Sequence, residues 1–175
     1  MRYVALLRGI NVTGNTIIKM ADLKKSFESL GFKNVVSYVN SGNLAFDSKK
    51  ISERSLTKKL EDTVERDFGK RVSVMVREQS AIPKIIAANP YDGEFESHKE
   101  MHVLFLKDEI PKEQVEELRD AAPKAERFTI NGREIYCHLP MGVADSLLGR
   151  GLVEKKLKIA VTARNWRTVK KLAEL

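Results

Sequence analysis

Nine consecutive residues, Arg8-Gly9-Ile10-Asn11-Val12-Thr13-Gly14-Asn15-Thr16, follow a short apolar run and combine a guanidinium with two glycines and small polar side chains. Glycine lets the backbone turn sharply or approach a ligand closely. An arginine placed where a strand gives way to a loop presents its charge to whatever the loop surrounds. That combination suits the binding of an anion. The spacing Gly9-x-x-x-x-Gly14 after a strand is similar to a P-loop, in which backbone N–H groups cradle phosphates and a lysine reaches the terminal one. Asn15 stands at the lysine position and the next helix begins several residues late, so a non-Walker anion loop is expected instead, with Arg8, Gly9, Asn11 and Lys19 as ligand-binding residues. Ser41 and Asn43, on either side of Gly42, add hydrogen-bonding groups from a second turn.

The remaining reactive side chains do not assemble into a known catalytic pattern. His98 and His102 flank Glu100, but they straddle a loop and a strand start, whereas a helical zinc site needs two histidines one turn apart; no metal and no cofactor are expected. Cys137 and His138 are neighbours in a strand and therefore face opposite sides, so a buried, unreactive thiol is expected and no catalytic residue is assigned. Tyr3 and Phe46 lie on the first and third strands, where an RNA-recognition fold stacks bases, although aromatic residues on strands more often belong to the core.

Near the end of the chain, a helix over residues 163–173 is expected, capped by Thr162. Trp166, Val169, Leu172 and Ala173 form its apolar stripe, and Arg164, Arg167 and Lys171 a basic edge. Arg164 and Asn165 at its start complete the candidate anion site, and Trp166 serves as the packed anchor.

The elements that must position these groups follow from periodicity and turn chemistry. Residues 3–7 read as a buried strand and 22–30 as a helix stopped by Gly31. Residues 34–39 and 44–46 read as a hairpin about Ser41-Gly42-Asn43. Ser52 caps a second helix in which Leu56, Leu60, Val64 and Phe68 recur every four residues up to Gly69, and 72–76 is the next strand. This β-α-β-β-α-β order is the split pattern of a ferredoxin-like unit, with an antiparallel sheet covered by two helices. A linking helix over 81–88 and a polar loop over 89–100 lead to a strand at 102–106, a helix at 112–120, and a hairpin of 127–130 with 134–138 across Asn131-Gly132. Helices at 144–148, 152–157 and 163–173 finish the chain. The fold class is α+β: a ferredoxin-like subdomain over 1–77, a linker over 78–100, and a second ferredoxin-like variant with C-terminal helices over 101–175.

A family resemblance rests on Leu6-Leu7-Arg8-Gly9-Ile10-Asn11-Val12, Tyr38-Val39-Asn40-Ser41-Gly42-Asn43, Glu126-Arg127-Phe128, Glu134-Ile135-Tyr136 and Thr162-Ala163-Arg164-Asn165-Trp166. In this order and spacing the sequence resembles the bacterial domain-of-unknown-function family sixteen ninety-seven over essentially its whole length. The resemblance implies two ferredoxin-like parts, no assigned activity and no cofactor. The chain departs from the family's usual wording at Thr13, Asn40 and Arg167.

Composition bounds the partners. The 175 residues are 42% hydrophobic and 31% charged, the make-up of a soluble globular protein. The apolar run near the N-terminus is too short for a signal segment and nothing approaches a membrane span, so a cytoplasmic protein without membrane contact is expected; a single cysteine, Cys137, agrees with a reducing compartment. The net charge of +7 is uneven: residues 1–77 hold 15 Lys/Arg against 8 Asp/Glu, 78–145 hold 8 against 14, and 146–175 hold 8 against 2. Basic ends of this kind favour a nucleic acid or another polyanion as partner. The alternatives are an enzyme or sensor for a small phosphorylated metabolite, held by Arg8, Lys19 and Arg164, and a protein-interaction module.

Overall fold

A computed structural model describes residues 1–12, 14 and 16–175; Thr13 and Asn15, and with them the P-loop comparison at Asn15, lie outside the described residues. The chain divides into two compact units, residues 1–84 with 171–175, and residues 85–170.

In the first unit, β1 (Arg2–Leu7), α1 (Met20–Ser29), β2 (Lys33–Tyr38), β3 (Asn43–Asp47), α2 (Glu53–Phe68) and β4 (Val74–Glu78) build a sheet in the order β2-β3-β1-β4, with every pair antiparallel. Alternation along the strands turns Tyr3, Ala5, Leu7, Leu44, Phe46, Val74 and Val76 to one face. There they meet Leu23 and Phe27 of α1 and Leu56, Leu60 and Val64 of α2. Each of these large side chains stabilises the unit by about 1.5–3 kcal/mol through burial. Ser52 accepts from the Ser55 N–H to start α2, and Gly69 ends it in the left-handed region, both as the residue types dictate.

The second unit repeats the design completely. After a short 3-10 turn (Gln79–Ala81) and α3 (Ile82–Ala87), it comprises β5 (Met101–Leu106), α4 (Lys112–Ala121), β6 (Arg127–Asn131), β7 (Glu134–His138), α5 (Leu152–Leu157) and β8 (Val161–Asn165), followed by α6 (Trp166–Leu172). The sheet order, β6-β7-β5-β8, matches the first unit position for position. Leu104, Leu106, Ile135, Cys137 and Val161 pack with Leu118 of α4 and with Val153 and Leu157 of α5. The opposite face of each sheet is buried as well: Val4, Leu6, Asn43, Met75 and Arg77 in one and Met101, Val103, Phe105, Tyr136 and Arg164 in the other are all buried.

Two sequence expectations fail here. The helix expected over 163–173 begins only at Trp166, because Val161–Asn165 pairs along β5, with Arg164 opposite Val103 and Asn165 opposite His102. The pairing satisfies a strand edge that a helix would leave open, and the β-branched Val161 and Thr162 suit it. Likewise, of the helix expected over 144–148 only a 3-10 turn, Val143–Asp145, forms. The buried Glu126 carboxylate takes the Leu147 and Leu148 N–H groups at 2.6 and 2.9 Å, and residues 147–150 form turns instead of a continuous helix. Among the described residues, no helix is long and apolar enough to cross a membrane.

Candidate functional site

The first-unit site is built where β1 leaves the sheet. Leu6 stands opposite Asn43, the Leu7 N–H donates to the Gly42 carbonyl at 2.8 Å, and the Arg8 N–H donates to the Ser73 carbonyl at 2.9 Å. Arg8 is thus anchored by its backbone beside the β2–β3 turn while its side chain is exposed. Gly42 has a φ of +81°, and a Cβ there would lie 2.8 Å from Leu7 Cβ and 2.9 Å from Ile10 Cδ1, so the close approach of the two chains requires glycine.

Asn11 is the clasp of the loop. Its backbone is left-handed at φ 56° and its N–H donates to the Thr16 carbonyl at 2.8 Å. Its side-chain Nδ2 donates to the carbonyls of Ile18 and Asn40, both at 2.8 Å, and its Oδ1 accepts from the Ile18 N–H at 2.9 Å. One amide therefore ties the β1–α1 loop to itself and to the β2–β3 turn. Asparagine tolerates the left-handed region better than other residues with a side chain, and its amide both donates and accepts.

Lys19, exposed at the N-cap of α1, accepts at its carbonyl from Asp22 N and Leu23 N, both at 3.0 Å. Asn11, Gly14, Ile17, Lys19, Met20 and Asn40 line a cavity of about 590 Å³. Ser41 is half-buried and Asn43 fully buried. Asn43 Nδ2 donates to the Tyr38 carbonyl at 3.0 Å and to Ser41 Oγ at 3.1 Å, which makes it a brace of the turn. The next residue along, Val39, holds a φ of 50°, a costly conformation for a β-branched side chain, and strain of this kind clusters at functional positions.

Arg164 and Asn165 belong to the other unit. Arg164 does not sit on an exposed helix edge: it is buried on β8, where its Nη1 donates to Thr162 Oγ1 at 2.7 Å and the Ala163 carbonyl at 2.8 Å. Burial pulls its pKa down to about 10, which leaves it cationic at neutral pH. The cap expected of Thr162 is supplied by Asn165, whose Oδ1 accepts from the Thr168 N–H at 2.9 Å. Trp166 is buried as expected, edge-on to Phe95 with ring centroids 6.1 Å apart.

Base stacking by Tyr3 and Phe46 is ruled out. Both are fully buried on the helix-covered face, 6.1 Å apart, with the Tyr3 hydroxyl donating to the Ile51 carbonyl at 2.9 Å. Cys137 is buried among Leu104 and its neighbours, and burial pushes its thiol well above the ordinary range, while His138 on the opposite face lies between Arg127 (3.4 Å) and Glu100 (3.9 Å). Among the described residues, no three His, Cys, Asp or Glu side chains are grouped to hold a metal ion. A contact invisible in the sequence joins His98 Nδ1 to Arg167 Nη2 at 3.5 Å across 69 residues; no spacing rule could have found it.

The two units with one strand order define an α+β protein of tandem ferredoxin-like halves, and the comparisons agree. Residues 1–136 match the family described as protein of unknown function (DUF1697), and the chain belongs to that family. Its fold is similar to that of a conserved bacterial protein, SP0830 from Streptococcus pneumoniae, with a TM-score of 0.77 at 23% identity, covering 99% of this chain and 97% of the other. No curated protein matches the sequence.

Proposed function

We propose that this protein is a binding module for an anionic partner, engaged at the β1–α1 loop and the β2–β3 turn, with the phosphates of a nucleic acid as the leading partner. The observation that carries this reading is the Asn11 clasp, which ties Asn11 to Ile18 and to Asn40 of the β2–β3 turn while the flanking cations Arg8 and Lys19 are exposed. Cations next to hydrogen-bonded backbone lose little further entropy on binding; the Arg8 N–H is bonded to the Ser73 carbonyl, and Lys19 follows the clasped Ile18. The excess of Lys/Arg in residues 1–77, 15 against 8 acidic residues, supports a polyanion. Recognition runs through phosphates, since Tyr3 and Phe46 are unavailable for stacking.

A second reading, a small phosphorylated metabolite, is favoured by the cavity beside Lys19, whose volume of about 590 Å³ is that of a small-molecule pocket. Fluorescence anisotropy with a short labelled RNA at about 50 and 200 mM salt tests the first reading: affinity must fall steeply with salt. Undetectable binding at the lower salt, together with a thermal upshift by a nucleotide or sugar phosphate, selects the second.

A further inference from the structure

We infer that the second unit carries its own oxyanion site, formed by His98, Arg167 and Lys170 with His102 behind them, for inorganic phosphate or a phosphomonoester. It rests on residues that the reading above does not use. The His98 imidazole sits 3.5 Å from the Arg167 guanidinium, and the two are held there by the neighbouring Phe95–Trp166 contact, a ring pair at 6.1 Å and 76°. Partial burial, followed by the charges of Arg167, Lys99 and Lys170, keeps His98 below its ordinary pKa, and no carboxylate is among the groups acting on it. Two of the four acidic residues of the same loop are engaged elsewhere, Glu94 with Arg127 at 2.7 Å and Glu100 towards His138 at 3.9 Å.

The exposed cations Arg167 and Lys170, one turn apart on α6, favour an anion beside them, and guanidinium, ammonium and imidazole N–H groups are the donors that a phosphate oxygen accepts from most strongly. The independent observation is His102. It is 95% buried at the start of β5, opposite Asn165 in register, and its Nδ1 has no hydrogen-bond partner. His98, four residues away, acts on it electrostatically. A buried, unpaired ring nitrogen is unfavourable, and such an atom calls for a partner that the free chain does not supply. An oxyanion at His98 and Arg167 supplies one.

The test is a titration of the full chain with inorganic phosphate at constant ionic strength, read on the imidazole resonances of His98 and His102 by NMR. Both should shift along one saturable curve, and the His98 titration midpoint should rise with phosphate bound. Arg167→Ala and Lys170→Ala are exposed changes that should keep the native melting temperature and weaken binding by about fivefold or more each. Glycerol phosphate saturating the same resonances at lower concentration identifies an ester as ligand; inorganic phosphate binding as well or better identifies the free ion. Shifts that stay linear and non-saturating up to about 100 mM phosphate, or an Arg167→Ala variant binding as tightly as the wild type, would overturn the proposal. Arg8→Ala distinguishes this outcome from the first-unit reading, because it should leave the phosphate titration unchanged.

Discussion

Asn11 Nδ2 donates to the carbonyl of Asn40 at 2.8 Å, a link across 29 residues between two turns of the first sheet. The same side chain makes two further bonds to Ile18, and its backbone is left-handed, so one residue meets three hydrogen-bonding demands and one conformational demand. Asn11→Ala loses these bonds together with a weaker one to Met20 Sδ, and places a residue with a poor left-handed fit at φ 56°. It should cost about 2–4 kcal/mol in chemical denaturation. Asn11→Asp keeps the acceptor towards Ile18 N–H but sets an anion against two carbonyls, and should be no better than the alanine variant.

Gly42→Ala should cost about 2–4 kcal/mol, combining a left-handed φ of +81° with a Cβ only 2.8 Å from Leu7 Cβ. Gly9→Ala, with a φ of +65° and nothing within 4 Å of the added atom, should cost only the conformational part, about 1 kcal/mol. Equal losses in the two variants would contradict the close approach of the turn to Ile10.

Arg164→Ala should destabilise by about 2–3 kcal/mol, since it removes a buried, hydrogen-bonded side chain from β8. The sequence suggested an exposed ligand residue whose removal would leave stability untouched, so a variant within about 0.5 kcal/mol of wild type would restore that view. Trp166→Ala should cost about 3–5 kcal/mol, as the sequence and the structure agree that it is buried.

His102 gives the fold a predictable pH dependence. Burial lowers its pKa from 6.5 to about 4, so between those values the unfolded chain binds a proton that the native chain refuses. The stabilisation is complete above about pH 6.5 and is lost as pH falls towards 4, by roughly 3 kcal/mol in all for a shift of this size. Comparing denaturation midpoints of wild type and His102→Gln at pH 7.5 and 4.5 checks this. The gap between them should favour the wild type more at the higher pH, and a pH-independent gap would contradict it.

How far the fold could be read from sequence is clear from individual elements. The first unit was legible because Tyr3–Leu7 is a short unbroken apolar run, α2 repeats an apolar residue every four positions from Leu56 to Phe68 between Ser52 and Gly69, and Ser41-Gly42-Asn43 can only be a turn. Val161–Asn165 misled because Trp166, Val169 and Leu172 carry a helical stripe that extends backwards onto it. The strand exists only because β5 offers an unpaired edge, a tertiary fact. The β1–α1 loop announced itself through Arg8 and its glycines, but Asn11 as the clasp depends on Asn40, far away in sequence, and the burial of Asn43 depends on the register of β1 with β3. A helical reading of 163–173 sets Arg164 on a basic edge with Arg167 and Lys171, whereas a buried arginine satisfied by a neighbouring threonine and carbonyl leaves no mark in composition.

In the proposed function, Arg8 and Lys19, on either side of the Asn11 clasp, meet an anionic partner. The most direct test is anisotropy of a short labelled RNA at about 50 mM salt, comparing wild type with an Arg8→Ala, Lys19→Ala double variant whose melting temperature is first shown to match. The double variant should bind at least about tenfold more weakly and show a shallower salt dependence, each lost phosphate contact lowering the slope by about one. Wild-type and variant proteins binding with equal affinity and equal salt dependence would contradict it.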